Sequence, residues 1–312
     1  MGILVGEEAT EEKAMVADRI DFSKYIVISV CFSCNNRCSI CMLSDLKEKL
    51  PGIGFENFKR VVTEIRDRRL YENLILSGAE VTTFDDLDRY IQFAVSLGWF
   101  KKIQIQTNGR KLNDRHYLKH LIDQGINEFF VSIHGLEQVH DTITRRKGSF
   151  RETMEGLNNL EDFDVNVITN TVLTKTNIDD VADLFSILSK KKIQEVHMWN
   201  YFPMERKDTK DFVVSMKDFL DLLSRILPIA KQSGKPLVLK SFPECLSMGP
   251  PGFFDSHFPE TLLPGRFWAE FSQCGFGYCV HRDRCRANAC WGLSSAYVQK
   301  YGDERKRLKP FV

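Results

Sequence analysis

Nine cysteines stand among the 312 residues of this chain, and eight of them fall into two tight groups. "SVCFSCNNRCSICMLSD" carries Cys31, Cys34, Cys38 and Cys41, and "CGFGYCVHRDRCRANAC" carries Cys274, Cys279, Cys285 and Cys290, with Cys245 upstream in "FPECL". Thiols at this density form disulfides, bind zinc or bind an iron–sulfur cluster. The N-terminus has no basic stretch leading into an apolar run, so no export signal is read and a cytoplasmic, thiol-preserving location is expected. That disfavours disulfides. Zinc sites usually pair C-x2-C units across a longer arm. Cys34, Cys38 and Cys41 instead read C-x3-C-x2-C. Three thiolates on a short loop can wrap one four-iron cubane and leave its fourth iron open to a substrate or cofactor. Cys31, late in an apolar run, reads as a buried structural thiol.

The elements that must position these thiols follow from periodicity. "KYIVISVCF" is β-branched and apolar, and "FENFKRVVTEIRDRR" has the period of an amphipathic helix. The alternation repeats through "ENLILSG", "KKIQIQTNG", "EFFVSIHG", "VNVITNTVL" and "EVHMWNYFP", each followed by a helical run. Near-continuous apolar strands alternating with helices predict a parallel sheet covered by helices. Six rounds predict an α/β fold, an open, partial (β/α)6 TIM-type barrel. Ligands in such folds gather at the carboxyl ends of the strands. The cysteine loop, "SGAE", "TNG", "SIHG", "NT" and "MWNY" all fall there. Beyond residue 235 the chain turns rich in Pro, Gly and Phe. We therefore expect an N-terminal extension (1–24), a barrel domain (25–235) and a small cysteine-rich C-terminal domain (236–312).

Composition excludes other classes. Forty-three basic against 42 acidic residues leave a net charge of +1 and no nucleic-acid footprint. No run approaches the length of a membrane span. Neither nucleic acid nor a membrane is expected as a partner.

Taken in order, these motifs resemble the radical S-adenosylmethionine (radical SAM) enzymes over about residues 25–202. "CNNRCSIC" is similar to their cluster motif, "LSGAEVT" to their glycine-rich motif, and "QTNG" and "VSIHGLEQVHDTITRRKGSF" to their later strand ends. The resemblance implies that Cys34, Cys38 and Cys41 bind a [4Fe–4S] cluster whose open iron is chelated by the methionyl end of S-adenosylmethionine. It implies that Ser77, Gly78, Ala79 and Glu80 hold the methionyl amine, Glu80 as its charge partner. Ser132 and Arg145 would hold ribose and carboxylate, Asn108 and Gly109 would shape the end of the third strand, and Ile40 would pack near adenine. The family often has an aromatic at the place of Ile40, a glycine at Ala79 and an aspartate at His134.

The C-terminal cysteines resemble a loosened SPASM or twitch extension, which carries auxiliary clusters. Four of Cys245, Cys274, Cys279, Cys285 and Cys290 would then hold one auxiliary [4Fe–4S] cluster, with a zinc site or free thiols as the alternatives. The chemistry implied is reductive cleavage of S-adenosylmethionine to a 5′-deoxyadenosyl radical that abstracts hydrogen from a substrate, with a flavodoxin or ferredoxin as electron donor. A peptide or protein substrate, oxidised, crosslinked or epimerised, is the first expectation. A small molecule of cofactor or natural-product biosynthesis is the second, and a non-catalytic iron–sulfur or zinc scaffold the third. Asn170, Trp199, Asn200 and Tyr201, at the ends of the fifth and sixth strands, are the substrate-facing candidates, and no catalytic acid or base stands out.

Overall fold

The structure, a computed structural model, describes residues 19–44, 46, 49–246, 253–287 and 290–312. Most of the expected N-terminal extension lies outside them. Strands β1 (Tyr25–Cys31), β2 (Asn73–Gly78), β3 (Lys102–Thr107), β4 (Glu128–Ser132), β5 (Asn166–Leu173), β6 (Glu195–Asn200), β7 (Leu237–Lys240) and β8 (Glu260–Leu262) form one sheet in the order β7-β6-β5-β4-β3-β2-β1-β8. Every neighbouring pair is parallel. The sheet curls into a half-barrel of the expected partial TIM type. It has two strands more than the six expected, both from the region assigned to the C-terminal domain.

All seven residues of β1 are buried because both faces are covered. Ile26, Ile28 and Val30 join the helix-side core, and Tyr25 and Val27 pack inward with Phe22, Ile75, Phe130 and Ile168. Helix α1 (Phe55–Asp67) buries Phe58, Val62 and Ile65, spaced to make one stripe. Helices α2 (Leu87–Ser96), α3 (Arg115–Asp123), α4 (Glu137–Thr144), α5 (Ser149–Leu160) and α6 (Val181–Leu188) continue the outer layer. Helix α7 (Met216–Ser233) starts at Ser215, whose Oγ accepts the Asp218 N–H at 3.1 Å, and stops at Gly234, which takes the left-handed conformation that glycine tolerates best.

After β7 the chain straps the open side of the half-barrel. Phe254 bridges to Leu239 on one edge of the sheet, and Glu260–Leu262 pairs with β1 on the other. Inside the strap, Lys240 Nζ donates to Asp255 Oδ2 and to the His257 carbonyl, both at 2.6 Å. Helices α8 (Gly265–Phe271) and α9 (Ser295–Tyr301) follow. The second docks on the start of α7, where the Tyr297 hydroxyl accepts the Met216 N–H at 2.9 Å and Lys300 pairs with Asp208 and Asp211.

Candidate active site

The inner face of the sheet changes character along the barrel axis. Above the apolar plug of Val27, Ile75, Phe130 and Ile168 lies one polar side chain per strand: Ser29, Ser77, Gln106, Ser132, Asn170, His197 and Lys240, from β1 through β7. Period-2 alternation places them there. They floor a cavity of about 610 Å³ whose mouth is walled by the cysteine loop on one side and by Phe258, Phe271 and Trp291 on the other.

Cys34, Cys38 and Cys41 all line this cavity. Their loop is moored at three places. At β2, Ala79 N–H donates to the Cys31 carbonyl and Glu80 N–H to that of Ser33, both at 3.0 Å. At β3, Asn108 Nδ2 donates to Asn35 Oδ1 at 2.7 Å, and buried Arg110 donates to the Asn35 carbonyl and Asn36 Oδ1, both at 2.9 Å. At the end of α4, Arg37 and Ser39 N–H groups donate to the Thr144 and Ile143 carbonyls at 3.1 and 2.8 Å. The β1–β2 approach depends on Gly78. It sits at φ +140, and a Cβ there would stand 1.9 Å from the Cys31 carbonyl oxygen.

Ile40, Ser77, Gly78, Ala79, Asn108 and Ser132 line the cavity as well. Three residues of that cofactor set, Glu80, Gly109 and Arg145, do not. The Glu80 carboxylate is fully buried beneath the wall, accepting from Thr82 N–H, Thr82 Oγ1, Thr107 Oγ1 and Asn108 N–H at 2.6–3.2 Å. Burial raises its pKa and these four donors pull it back. Arg145 is exposed and left-handed, ending α4, and the lining residue there is Thr144. Asp141 holds the start of α5 by accepting from Ser149 Oγ and Phe150 N–H at 2.9 Å. His134 lines the cavity with its Nδ1 occupied by the Val172 N–H at 3.3 Å. Burial lowers the pKa of His134 to about 3 and that of His140 to about 4, so both are neutral.

Among the substrate-facing candidates, Asn170 and Trp199 line the cavity. Asn200 instead donates to the Ser241 carbonyl at 3.1 Å, and Tyr201 is buried against Phe212. Sequence reasoning missed His197, Lys240 and Ser241. The inward alternation Glu195–His197–Trp199 was the available signal for the first of these.

The family model for the radical SAM superfamily matches residues 28–188, just over half of the chain. This protein belongs to the radical SAM superfamily. The chain is 27% identical over 198 residues to the Fe-coproporphyrin III synthase of Methanosarcina barkeri, covering 60% of this chain and 47% of that one. It is 26% identical over 154 residues to the sporulation killing factor maturation protein SkfB of Bacillus subtilis, covering 49% and 36%. The chain thus spans less than half the length of these curated relatives. In fold it is similar to Streptococcus suis SuiB bound to its precursor peptide SuiA, with a TM-score of 0.57, 16% identity, and coverage of 75% of this chain and 53% of that one.

As a radical SAM protein the chain uses a [4Fe–4S] cluster and S-adenosylmethionine, and its donor set fits them. The three cavity-lining cysteines share one moored loop, beside the open approach that Gly78 permits. The C-terminal thiols also sort themselves. The Cys245 thiol is raised to about 11, first by burial and then by the neighbouring Cys290, Cys279 and Cys285. Cys274 lies apart from that company, fully buried with its Sγ 3.8 Å from Met204 Sδ. Buried thiols ionise readily only beside compensating positive charge, which iron supplies. Among the described residues, no group of three or more ligand-type side chains is tight enough for a single metal ion. A cubane, being larger than one ion, calls for a wider bracket.

Proposed function

We propose that this chain is a radical SAM enzyme that modifies a peptide or protein by hydrogen abstraction, assisted by one auxiliary [4Fe–4S] cluster. The observation that carries the radical chemistry is the convergence of Cys34, Cys38 and Cys41 with Ser77, Gly78, Ala79 and Ser132 on one cavity. Bound there, the cluster would supply the electron, and S-adenosylmethionine the adenosyl group, for hydrogen abstraction from the substrate. The protein's own residues bind and orient. Ser77 and the Gly78–Ala79 backbone would meet the methionyl end, Ser132 the ribose and Ile40 the adenine. Glu80 would act at one remove, fixing the Thr107–Asn108 turn to the β2 end. Cys245, Cys279, Cys285 and Cys290 would hold the auxiliary cluster.

Similarity to SkfB, a maturation protein, and the auxiliary cysteine group support the peptide reading. The likeness to Fe-coproporphyrin III synthase and to the 7,8-dihydro-6-hydroxymethylpterin dimethyltransferase of Methanocaldococcus jannaschii supports the small-molecule alternative. A flavodoxin or ferredoxin in the cytoplasm would deliver the electron. Among the described residues, no helix is long and apolar enough to cross a membrane.

The test is anaerobic reconstitution with iron and sulfide, then dithionite and S-adenosylmethionine. Wild type should release 5′-deoxyadenosine, and Cys34→Ala combined with Cys38→Ala should abolish it. Release undiminished in the double variant would sink the site. Mass change in a short peptide encoded beside the gene, against none in small metabolites, decides the substrate class.

A further inference from the structure

On the β5–β7 side of the cavity floor, four polar atoms are buried without a hydrogen-bond partner: Asn170 Oδ1, His197 Nδ1, Trp199 Nε1 and Ser241 Oγ. All four residues line the cavity, and Asn170, His197 and Ser241 are 8%, 1% and 1% exposed. Asn170 and His197 are paired in register across β5 and β6, and Trp199 pairs with Lys240, the residue before Ser241. The four therefore form one contiguous patch. A buried polar group left without a partner loses its hydration with nothing in return, so a patch of four asks for a ligand.

The chemistry of that ligand follows from the donors and acceptors. His197 Nε2 lies 2.8 Å from Glu195 Oε2, and Glu195 also accepts the Ile20 N–H at 2.7 Å. The ring therefore keeps its proton on Nε2 and presents Nδ1 as an acceptor. Phe22 and Phe130 meet the ring edge-on at 5.6 and 5.4 Å and fix its tilt. Asn170 contributes an amide, Trp199 an N–H donor and Ser241 a hydroxyl that can do either. Charge, by contrast, is already spoken for. Lys240 is 2% exposed and bound to Asp255, and the carboxylate on the lining, Glu260, is exposed on the strap. An ionic ligand would lose its hydration and find no unpaired opposite charge within the floor. Beside the patch, Trp199 meets Phe258 at 5.3 Å and Phe258 meets Trp291 at 4.5 Å, an aromatic flank.

We propose that Asn170, His197, Trp199 and Ser241 form a subsite for a neutral amide or lactam, an adjacent donor and acceptor carried on an aromatic or apolar body. A peptide backbone segment next to an aromatic side chain offers this chemistry, and so does a flat lactam heterocycle. The inference rests on the radical SAM reading of the cavity and names what that site selects.

Calorimetry on the reconstituted, S-adenosylmethionine-loaded holoenzyme tests it. The probes are N-acetylphenylalaninamide, its carboxylate analogue N-acetylphenylalanine, the cation phenethylamine, and hypoxanthine as the lactam. The better of the two neutral amides should bind about tenfold tighter than either ion, and the difference between amide and hypoxanthine assigns the source. The preference should shrink severalfold in Ser241→Ala and, independently, in Asn170→Ala, each checked by iron content and circular dichroism so that a misfolded variant is set aside and the other decides. Equal or tighter binding of an ion, no binding of any probe, or an unchanged preference in the folded variants overturns the proposal. Wild type that binds the probes without this preference, yet still releases 5′-deoxyadenosine, refutes the subsite alone. Wild type that releases none refutes the underlying reading.

Discussion

Glu80 has four hydrogen-bond donors on its carboxylate and no solvent. Glu80→Ala would orphan several of them at once, and a loss of about 3 kcal/mol in chemical denaturation is expected. Glu80→Gln, which keeps an acceptor, should lose less. A second residue-scale prediction concerns His134 and His140. Their folded pKa values, about 3 and about 4, lie below the unfolded value near 6.5, so the stability linked to neutrality is present above pH 6.5 and drains as pH falls toward 4. The unfolded chain takes up the protons first. Melting temperature should drop from pH 7 to pH 5, and His134→Asn with His140→Asn, which keeps acceptors near the Nδ1 positions, should flatten that slope. At this scale the sequence was most legible where residue type and spacing mark a loop, as at Cys34, Cys38 and Cys41, which the fold brings to one cavity wall. It was least legible where one position in a helix terminus decides what faces inward. Thr144 and Arg145 are neighbours, and only the left-handed turn at Arg145 sends the charge outward and leaves threonine on the wall.

Helix α5 rests on the turn after β3 through Gly156, where an added Cβ would lie 2.6 Å from the Gly109 carbonyl oxygen and 2.9 Å from Leu112 Cβ. Alanine there should raise helix propensity by up to about 1 kcal/mol, yet the backbone it meets cannot move without shifting Asn108 and the cysteine loop. Gly156→Ala is therefore expected to lower the melting temperature and the iron retained per chain together. A gain in stability would show that the contact is soft. The first six strands were legible because each is a β-branched run bounded by a helix. β7 and β8 were not. They are four and three residues long, and β8, at a sheet edge beside prolines, lacks the apolar run that marks a strand. Their pairing is set by the edges they find rather than by their own composition.

For the molecule as a whole, iron is the simplest measure. About eight irons per reconstituted chain are expected, as two four-iron clusters, and Cys279→Ala with Cys290→Ala should lower this to about four. A value unchanged in that variant would remove the auxiliary cluster from the description. The pair that ties the strap to the sheet offers a second test. Asp255→Ala strands the buried Lys240 ammonium and should cost about 3–5 kcal/mol in denaturant titration, while adding Lys240→Met should restore most of it. The strap itself has a further consequence. A handful of residues between the Phe254 bridge and Glu260 covers the whole distance between the sheet's two margins, so its contour length works like a belt on the chamber's girth. Residues added at that stretch would let the margins part and admit bulkier guests while the thiols stayed seated, which makes the belt, not the floor, the dial for guest size.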